Sequence, residues 1–247
     1  MRNPGAHPQI SRPLLRLFGR YSARYIERHF HSVRLLQPSP PPNESTGPLV
    51  VYLNHAAWWD PLVCLFLARE LFGGRPAYGP MEATALKRYG FFKRLGFFPV
   101  ESGTPRGAAQ FLRTSEAILE RRENALFVTP QGQFADVRAP LLIASGLEHL
   151  AARAPQAFFV PLAVEYTFWE ERKPEVHLAF GEATQGGLTE RLAATQAQLA
   201  AAAQRRLPNE WRIVTKTKSG VSWPYDLWRW GCARLRGERF ERDHSRL

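Results

Sequence analysis

Cysteine is scarce in this sequence. The 247 residues include two cysteines, Cys64 and Cys232, which are far apart and lack the spacing of metal ligands. A disulfide framework is therefore not expected, and the composition suits a reducing compartment. His29 and His31 have no further cysteine or histidine at zinc-ligand spacing, so the sequence predicts no metal site.

Long apolar runs are also missing. None approaches the ~20 residues that a helix needs to cross a bilayer. The first residues, MRNPGAHPQISRP, lack the apolar segment of a secretory signal, so none is expected. The glycine-rich phosphate loops of nucleotide-binding folds are absent too. Transmembrane and nucleotide-binding classes therefore have no support in the sequence.

Acidic residues are outnumbered by basic ones, 22 against 33, which gives a net charge of +11. The excess lies at the two ends: residues 1–36 and 205–247 each carry +6, whereas residues 37–204 carry −1. Basic ends suit a polyanion, either nucleic acid or an anionic membrane surface. A nucleic-acid-binding protein usually carries its basic groups and stacking aromatics on the recognition surface of its body. The neutral body here therefore favours the membrane and no nucleic acid.

The two ends share an aromatic and basic composition. Residues 11–36 predict a helix that begins at Ser11 and carries an arginine at every fourth position from Arg12 to Arg28. This helix either exposes a charged face to water or lies in a membrane interface with its arginines on lipid phosphates. Residues 222–244 combine tryptophan and tyrosine with arginine, which is typical of a bilayer interface. A terminal helix packed on the body explains the same composition, and the two interpretations are compatible.

Strands and helices alternate between these ends. Strands are predicted at 49–53, 77–81, 96–101, 124–129, 157–166 and 175–181, and helices at 60–72, 84–95, 105–122, 141–153 and 188–207. The pattern predicts an α/β fold: a mixed, mostly parallel sheet flanked by helices, with a basic amphipathic N-terminal helix and a basic aromatic C-terminal segment. The predicted segments are 1–48 (helix and proline-rich linker), 49–207 (α/β domain) and 208–247 (extension).

The stretch LVVYLNHAAWWDPLV, residues 49–63, places a titratable histidine at the end of a predicted buried strand. His55 can accept a proton near neutral pH, provided that a carboxylate such as Asp60 orients it. Sites in open α/β sheets gather at the carboxyl ends of strands. The spacing alone also occurs by chance, and a lone histidine at a strand end is more often a structural hydrogen-bonding residue.

Four ordered motifs change that balance. NHAAWWD resembles the first signature block of the lysophospholipid (glycerolipid) acyltransferase family, which includes the 1-acylglycerol-3-phosphate acyltransferases. GFFPVESGTPRGA (96–108), FVTPQGQF (127–134) and VPLAVEY (160–166) are similar to the second, third and fourth blocks, in the same order. The resemblance covers about residues 49 to 182.

The resemblance implies O-acyl transfer at a membrane. The donor is acyl-CoA or acyl carrier protein, no further cofactor is expected, and the acceptor is the hydroxyl of a lysophospholipid-type lipid. His55 is the expected general base, with Asp60 as its orienting partner, in a peripheral protein on the cytoplasmic face. No Gly-x-Ser-x-Gly nucleophile motif is present, which favours direct attack on the thioester. Cys64, one turn beyond Asp60, is expected in the core.

Further residues are expected to bind substrate: Asn54, Trp58, Trp59, Glu101, Arg106, Gln131, Gly132 and Arg138. The chain departs from the family pattern at three positions. Ser102 and Phe134 stand where arginines are usual, and Gln131 replaces a glutamate. Arg106 or Arg138 either restores a cation for an acceptor phosphate or is a solvated surface charge.

Three alternatives stay open on the sequence alone. The first is an acyltransferase of the same mechanism with an acceptor that has no phosphate, such as a glycosylated or amino-acid lipid. The second is a catalytically silent lipid binder, and the third a basic nucleic-acid-binding protein. Trp58 and Trp59 either wall an acyl channel and exclude water or pack in the core.

Overall fold

The elements of the fold follow the predicted alternation. The computed structural model describes residues 8–39, 47–217 and 223–240. Its strands are β1 (Ser32–Leu36), β2 (Leu49–Leu53), β3 (Ala77–Glu82), β4 (Phe97–Val100), β5 (Ala125–Val128), β6 (Phe158–Thr167), β7 (Glu175–Phe180) and β8 (Trp211–Lys216). Its helices are α1 (Arg12–His29), α2 (Asp60–Glu70), α3 (Ala83–Arg88), α4 (Pro105–Leu119), α5 (Gly146–Arg153), α6 (Leu188–Arg205) and α7 (Trp223–Leu235), with 3₁₀ turns at Gly90–Leu95 and Pro208–Glu210.

These eight strands form one sheet in the order β4-β3-β5-β2-β6-β7-β1-β8. The first five strands in that order are parallel to one another. Strand β7 is antiparallel to β6, β1 is parallel to β7, and β8 is antiparallel to β1. The predicted mixed, mostly parallel α/β sheet is confirmed. The carboxyl ends of the five parallel strands meet at one side of the sheet, called here the carboxyl edge.

Helices cover both faces of the sheet, which explains why its central strands are apolar at every position. In β2, Leu49, Val51 and Leu53 face the core shared with α1 and α2, whereas Val50 and Tyr52 face the core shared with α4, α5 and α6. All five side chains are fully buried. The end of β2 is therefore held from both sides, which fixes the starting point of the chain that follows it.

The prediction of a helix over 11–36 was wrong beyond residue 29. The helix α1 ends at His29, and residues 32–36 form β1, in which every side chain is buried. The buried guanidinium of Arg34 pairs with the equally buried carboxylate of Glu175 on β7. This ion pair joins positions 141 residues apart, so no local pattern reveals it. Strand β8 was not predicted either. Through β1 and β8, the predicted segments 1–48 and 208–247 both contribute strands to the sheet.

Other boundaries shift by a few residues. The predicted helix 84–95 divides into α3 and a 3₁₀ turn, and the predicted helix 141–153 begins only at Gly146. The predicted linker 37–48 and the terminal segment 222–244 lie partly outside the described residues. Within the described ranges, no helix combines the length and apolarity that a membrane crossing requires.

Candidate active site

The carboxyl edge begins immediately after β2, where Asn54 fastens the chain to the neighbouring strand. The Asn54 side-chain amide donates to the Val164 carbonyl at 2.9 Å, and its oxygen accepts the Val164 N–H at 2.8 Å. These two bonds extend the β2–β6 pairing through a side chain, so that the backbone is free to turn outward at His55. Asn54 is buried. The structure gives it this holding role, and its contact with substrate stays a prediction.

His55 and Asp60 are in direct contact. The imidazole Nδ1 lies 2.7 Å from the Asp60 Oδ2, with the histidine side chain 17% exposed and the aspartate side chain 1% exposed. Asp60 is the first residue of α2, and its Oδ2 also accepts the Ala57 N–H at 3.1 Å. When Nδ1 carries the proton and donates it to the carboxylate, the lone pair is on Nε2. This is the geometry of a general base and its orienting partner.

Tyr166, which the sequence did not single out, completes the surroundings of Asp60. Its hydroxyl donates to the second carboxylate oxygen, Oδ1, at 2.6 Å. Burial raises the pKa of Tyr166 well above its usual value, and the charge of Asp60 raises it further. Tyr166 therefore stays protonated and remains a donor. Asp60 thus has three hydrogen-bonding partners: the His55 ring, the Ala57 N–H and the Tyr166 hydroxyl.

The loop after β5 holds the His55 peptide from both sides. The Gln131 side-chain oxygen accepts the His55 N–H at 2.7 Å, and the His55 carbonyl accepts the Ala135 N–H at 2.9 Å. Gly132 adopts a φ of +68° between them, a left-handed conformation that favours glycine. Gln131 thus positions the His55 backbone, and the binding of substrate by Gln131 and Gly132 stays a prediction.

One aromatic ring, that of Phe134, contacts the His55 ring. The Phe134 ring centroid lies 4.3 Å from that of His55, at an interplanar angle of 44°, and Phe134 is 59% exposed. Trp58 is 63% exposed, whereas Trp59 packs against Phe30 of the α1–β1 turn, with ring centroids 4.8 Å apart. The two tryptophans therefore differ: Trp59 belongs to the packing, and Trp58 is available at the surface.

Arg138 and Arg106, the two predicted cations, differ in their surroundings. Arg138 makes a bidentate ion pair with Asp136, with N–O distances of 2.8 and 2.7 Å, and this pair lowers the pKa of Asp136. Glu101 and Arg106 flank the loop from β4 to α4 and are exposed. Strand β4 is three strands from β2, about 14 Å at normal strand spacing. Glu101 and Arg106 therefore follow a strand that is not adjacent to β2, and their contact with substrate stays a prediction.

The thiol of Cys64 lies in the core, as predicted. Burial raises its pKa well above the usual value, and the nearby Asp60 raises it further. A thiol in this environment is a poor nucleophile. Within the described ranges, no group of three or more histidine, cysteine or acidic side chains has the arrangement of a metal site.

The arrangement of strands has a counterpart among solved structures. The crystal structure of the 1-acyl-sn-glycerophosphate (LPA) acyltransferase PlsC from Thermotoga maritima matches with a TM-score of 0.51 and 14% sequence identity, over 79% of this chain and 81% of that chain. This chain has an acyltransferase fold. No family model and no curated protein matches the sequence. At this identity the likeness concerns the fold, so the chemistry has to be argued from the residues at the carboxyl edge.

A signal for Tyr166 was present in the sequence. Side chains alternate along a strand, and Leu162 and Val164 of β6 belong to the core shared with α2, the helix that begins with Asp60. Position 166 therefore continues toward the same face, beyond the last residue of β2. To place the Tyr166 hydroxyl beside Asp60, it would also have been necessary to predict that β6 extends several residues past the end of β2.

Proposed function

We propose that this chain is an O-acyltransferase that moves a fatty acyl group from acyl-CoA or acyl carrier protein to a hydroxyl of a membrane lipid. The observation that carries the proposal is the His55–Asp60 contact of 2.7 Å at the carboxyl edge, in a chain with an acyltransferase fold. Lipids with a free hydroxyl include lysophospholipids and glycolipids.

In the proposed reaction, His55 Nε2 takes the proton of the acceptor hydroxyl as its oxygen attacks the thioester carbonyl carbon. Asp60 stabilises the imidazolium that forms. The tetrahedral intermediate then collapses, the carbon–sulfur bond breaks, and the imidazolium returns its proton to the departing thiolate. The products are an ester and a free thiol, and His55 is again neutral.

Direct attack fits the surroundings of the histidine. A serine or cysteine nucleophile would have to lie within hydrogen-bonding reach of the base. Cys64 is buried and its thiol pKa is raised, and the bonded partner of the His55 ring is Asp60. A covalent acyl-enzyme therefore has no support from the residues described. The exposed ring of Trp58 is suited to cover the acyl chain and to exclude water from the thioester.

We also propose that the protein docks on an anionic membrane through the face that carries α1. Aromatic rings contact one another in a row from Phe91 through Phe18, Tyr21 and Tyr25 to Trp59 and Trp58, with neighbouring centroids 5.4–5.7 Å apart. The members Phe91, Tyr21 and Trp58 are exposed at 43%, 51% and 63%. Exposed rings beside arginine are typical of proteins that lie in a bilayer interface.

The charges of α1 support the same orientation. Arg16, Arg20 and Arg24 are exposed on this helix, and each basic side chain near an anionic surface contributes about 1 kcal/mol to binding. The row of rings runs along the same helix toward Trp58, three residues from His55. In this orientation a lipid acceptor reaches His55 while the acceptor stays close to the bilayer. Both free cysteines and the thioester donor suit the cytoplasmic face.

The exposed aromatic side chains of α7 suit a second contact with the bilayer. Trp223 is 75% exposed, Trp228 63% and Trp230 45%. Arg234, close to the Trp230 ring at 5.6 Å, supplies a basic group at the same helix. We propose that α7 adds to membrane binding, while α1 sets the orientation.

Product identification tests the proposed activity. The purified full chain is incubated with palmitoyl-CoA and vesicles that contain a mixture of lipids with free hydroxyls, and the lipids are read by mass spectrometry together with thiol release. We expect a new acyl ester in the lipid fraction and an equal amount of free CoA. Binding to the vesicles without ester or thiol would support the silent lipid binder instead.

A further inference from the structure

The entrance to His55 is bordered by an uncharged ring. The Phe134 ring lies 4.3 Å from the imidazole, centroid to centroid, and remains 59% exposed. The His55 side chain itself is only 17% exposed. Because Nδ1 is turned to Asp60, a hydroxyl has to reach the other ring nitrogen, Nε2. A headgroup that approaches His55 from the side of Phe134 contacts that ring.

A carboxylate lies on the strand next to β2. Glu165 is on the part of β6 that extends past β2, whereas Glu82 on β3 and Glu101 after β4 are two and three strands away. Glu165 is half-buried. Burial raises its pKa, and the charge of Arg138 lowers it.

The cations at the same edge are occupied or distant. Both nitrogens that Arg138 presents to Asp136 are bonded to its carboxylate at 2.7 and 2.8 Å, so the pair is close to neutral. Arg106 lies on α4, after a strand that is about 14 Å from β2. Lys87 and Arg88 are in the last turn of α3, which follows β3, two strands from β2.

An acceptor phosphate close to His55 would meet unfavourable surroundings. A dianion placed against a phenyl ring loses hydration without gaining a partner. A sugar has the opposite properties. It presents uncharged hydroxyls to Nε2, and its C–H face packs on the negative face of an aromatic ring.

We infer that the acceptor is a lipid with an uncharged, hydroxyl-rich headgroup, of the glycolipid class, and that Phe134 selects it by packing on the sugar ring beside His55. The inference rests on the proposed acyltransferase function, and it specifies the substrate of the same site. It assigns Phe134 the role of a specificity-determining residue.

Competition between two acceptors tests this inference. The full chain receives palmitoyl-CoA with dodecyl β-glucoside and lysophosphatidic acid in the same vesicles, and both products are counted by mass spectrometry. We expect the glucoside ester to form at least about tenfold faster, which is the discrimination that a single well-placed contact provides. Faster acylation of lysophosphatidic acid would overturn the inference and leave the proposed activity standing. If neither acceptor yields an ester, the proposed activity is refuted, and the inference with it.

Substitutions at Phe134 locate the preference. Phe134→Arg places a cation beside His55, and we expect the ratio of glucoside to lysophosphatidic acid product to fall by about tenfold or more. Phe134→Tyr keeps the ring and is the matched control, with the acceptor order expected to persist. An unchanged ratio in Phe134→Arg would contradict the assigned role.

Binding provides a readout that does not depend on turnover. In the His55→Ala background, the tryptophan fluorescence of the protein is titrated with each acceptor, and the same titration is repeated with Phe134→Leu added. We expect tighter binding of the glucoside than of lysophosphatidic acid, and a loss of about three- to tenfold for the glucoside alone when the ring is removed. An equal loss for both acceptors would show that Phe134 binds the acyl chain and would overturn the inference.

Discussion

Removal of the Tyr166 hydroxyl probes the support of the catalytic pair. Tyr166→Phe leaves the ring, which packs against Phe30 at 5.7 Å between centroids, and deletes the 2.6 Å hydrogen bond to Asp60 Oδ1. Asp60 then keeps the Ala57 N–H and the His55 ring as partners. The perturbation is thus confined to one oxygen of a buried carboxylate.

This change should have two measurable effects, one on stability and one on the pH dependence of activity. A hydrogen bond to a charged group contributes about 1.5–3 kcal/mol, so the free energy of unfolding should fall by that amount. The carboxylate with fewer donors presents more negative charge to His55 and holds the imidazolium more firmly. The acidic limb of the kcat/KM profile should therefore move to higher pH, by roughly half a unit to one unit, where one unit corresponds to about 1.4 kcal/mol.

The assay is acyl transfer from palmitoyl-CoA, measured across the acidic limb for the unmodified chain and the variant. Tyr52→Phe is the matched control, because the Tyr52 hydroxyl is also buried but faces the opposite core and has no hydrogen-bonding partner among the described residues. We expect no displacement of its limb. A Tyr166→Phe limb that stays in place, or that moves to lower pH, would refute the coupling between Tyr166 and the base.

The remaining predictions concern the same pair, the membrane and the fold. Asp60→Asn should lower kcat by about 10³–10⁴-fold, because the amide no longer stabilises the imidazolium, with folding checked by circular dichroism; near-native turnover would sink this role. Charge reversal of Arg16, Arg20 and Arg24 together should weaken sedimentation with anionic vesicles by at least tenfold, and raised salt should do the same to the unmodified chain; binding that ignores salt would point to apolar insertion. Burial raises the pKa of Glu175, but hydrogen bonds from His177 and Arg34 outweigh it and lower this pKa from 4.5 to about 2. Stability from this group is complete above pH 4.5 and is lost as the pH falls toward 2, by on the order of 3 kcal/mol; Glu175→Gln should be less stable at neutral pH and should lose that acid-dependent part in urea titrations.

Local patterns revealed the central part of the fold. The run 49–53 is apolar, and all five of its residues are buried, so its composition and its environment agree. Residues 32–36 could not be assigned in this way. Val33, Leu35 and Leu36 suit a helix as well as a strand, and the interaction that favours the strand is the Arg34–Glu175 pair across 141 residues.

The site was predictable where its residues are close in sequence. His55 and Asp60 are joined by a short turn, so their contact follows from the motif itself. Tyr166 is 106 residues from Asp60, and its contribution depends on how far β6 extends past β2. The packing of Phe134 on His55 depends on the path of the loop after β5, which is set by the bonds that Gln131 and Ala135 make to the His55 peptide.

The role of His55 as the base is tested most directly by the rate of acyl transfer in His55→Ala. His149, exposed on α5, supplies the control His149→Ala, which removes a histidine outside the His55–Asp60 pair. With palmitoyl-CoA and a hydroxyl-bearing lipid in vesicles, we expect His55→Ala to lose at least about 10²–10⁴-fold in kcat while it still binds the vesicles, and His149→Ala to keep its rate. Turnover by His55→Ala within a few-fold of the unmodified chain would contradict the mechanism.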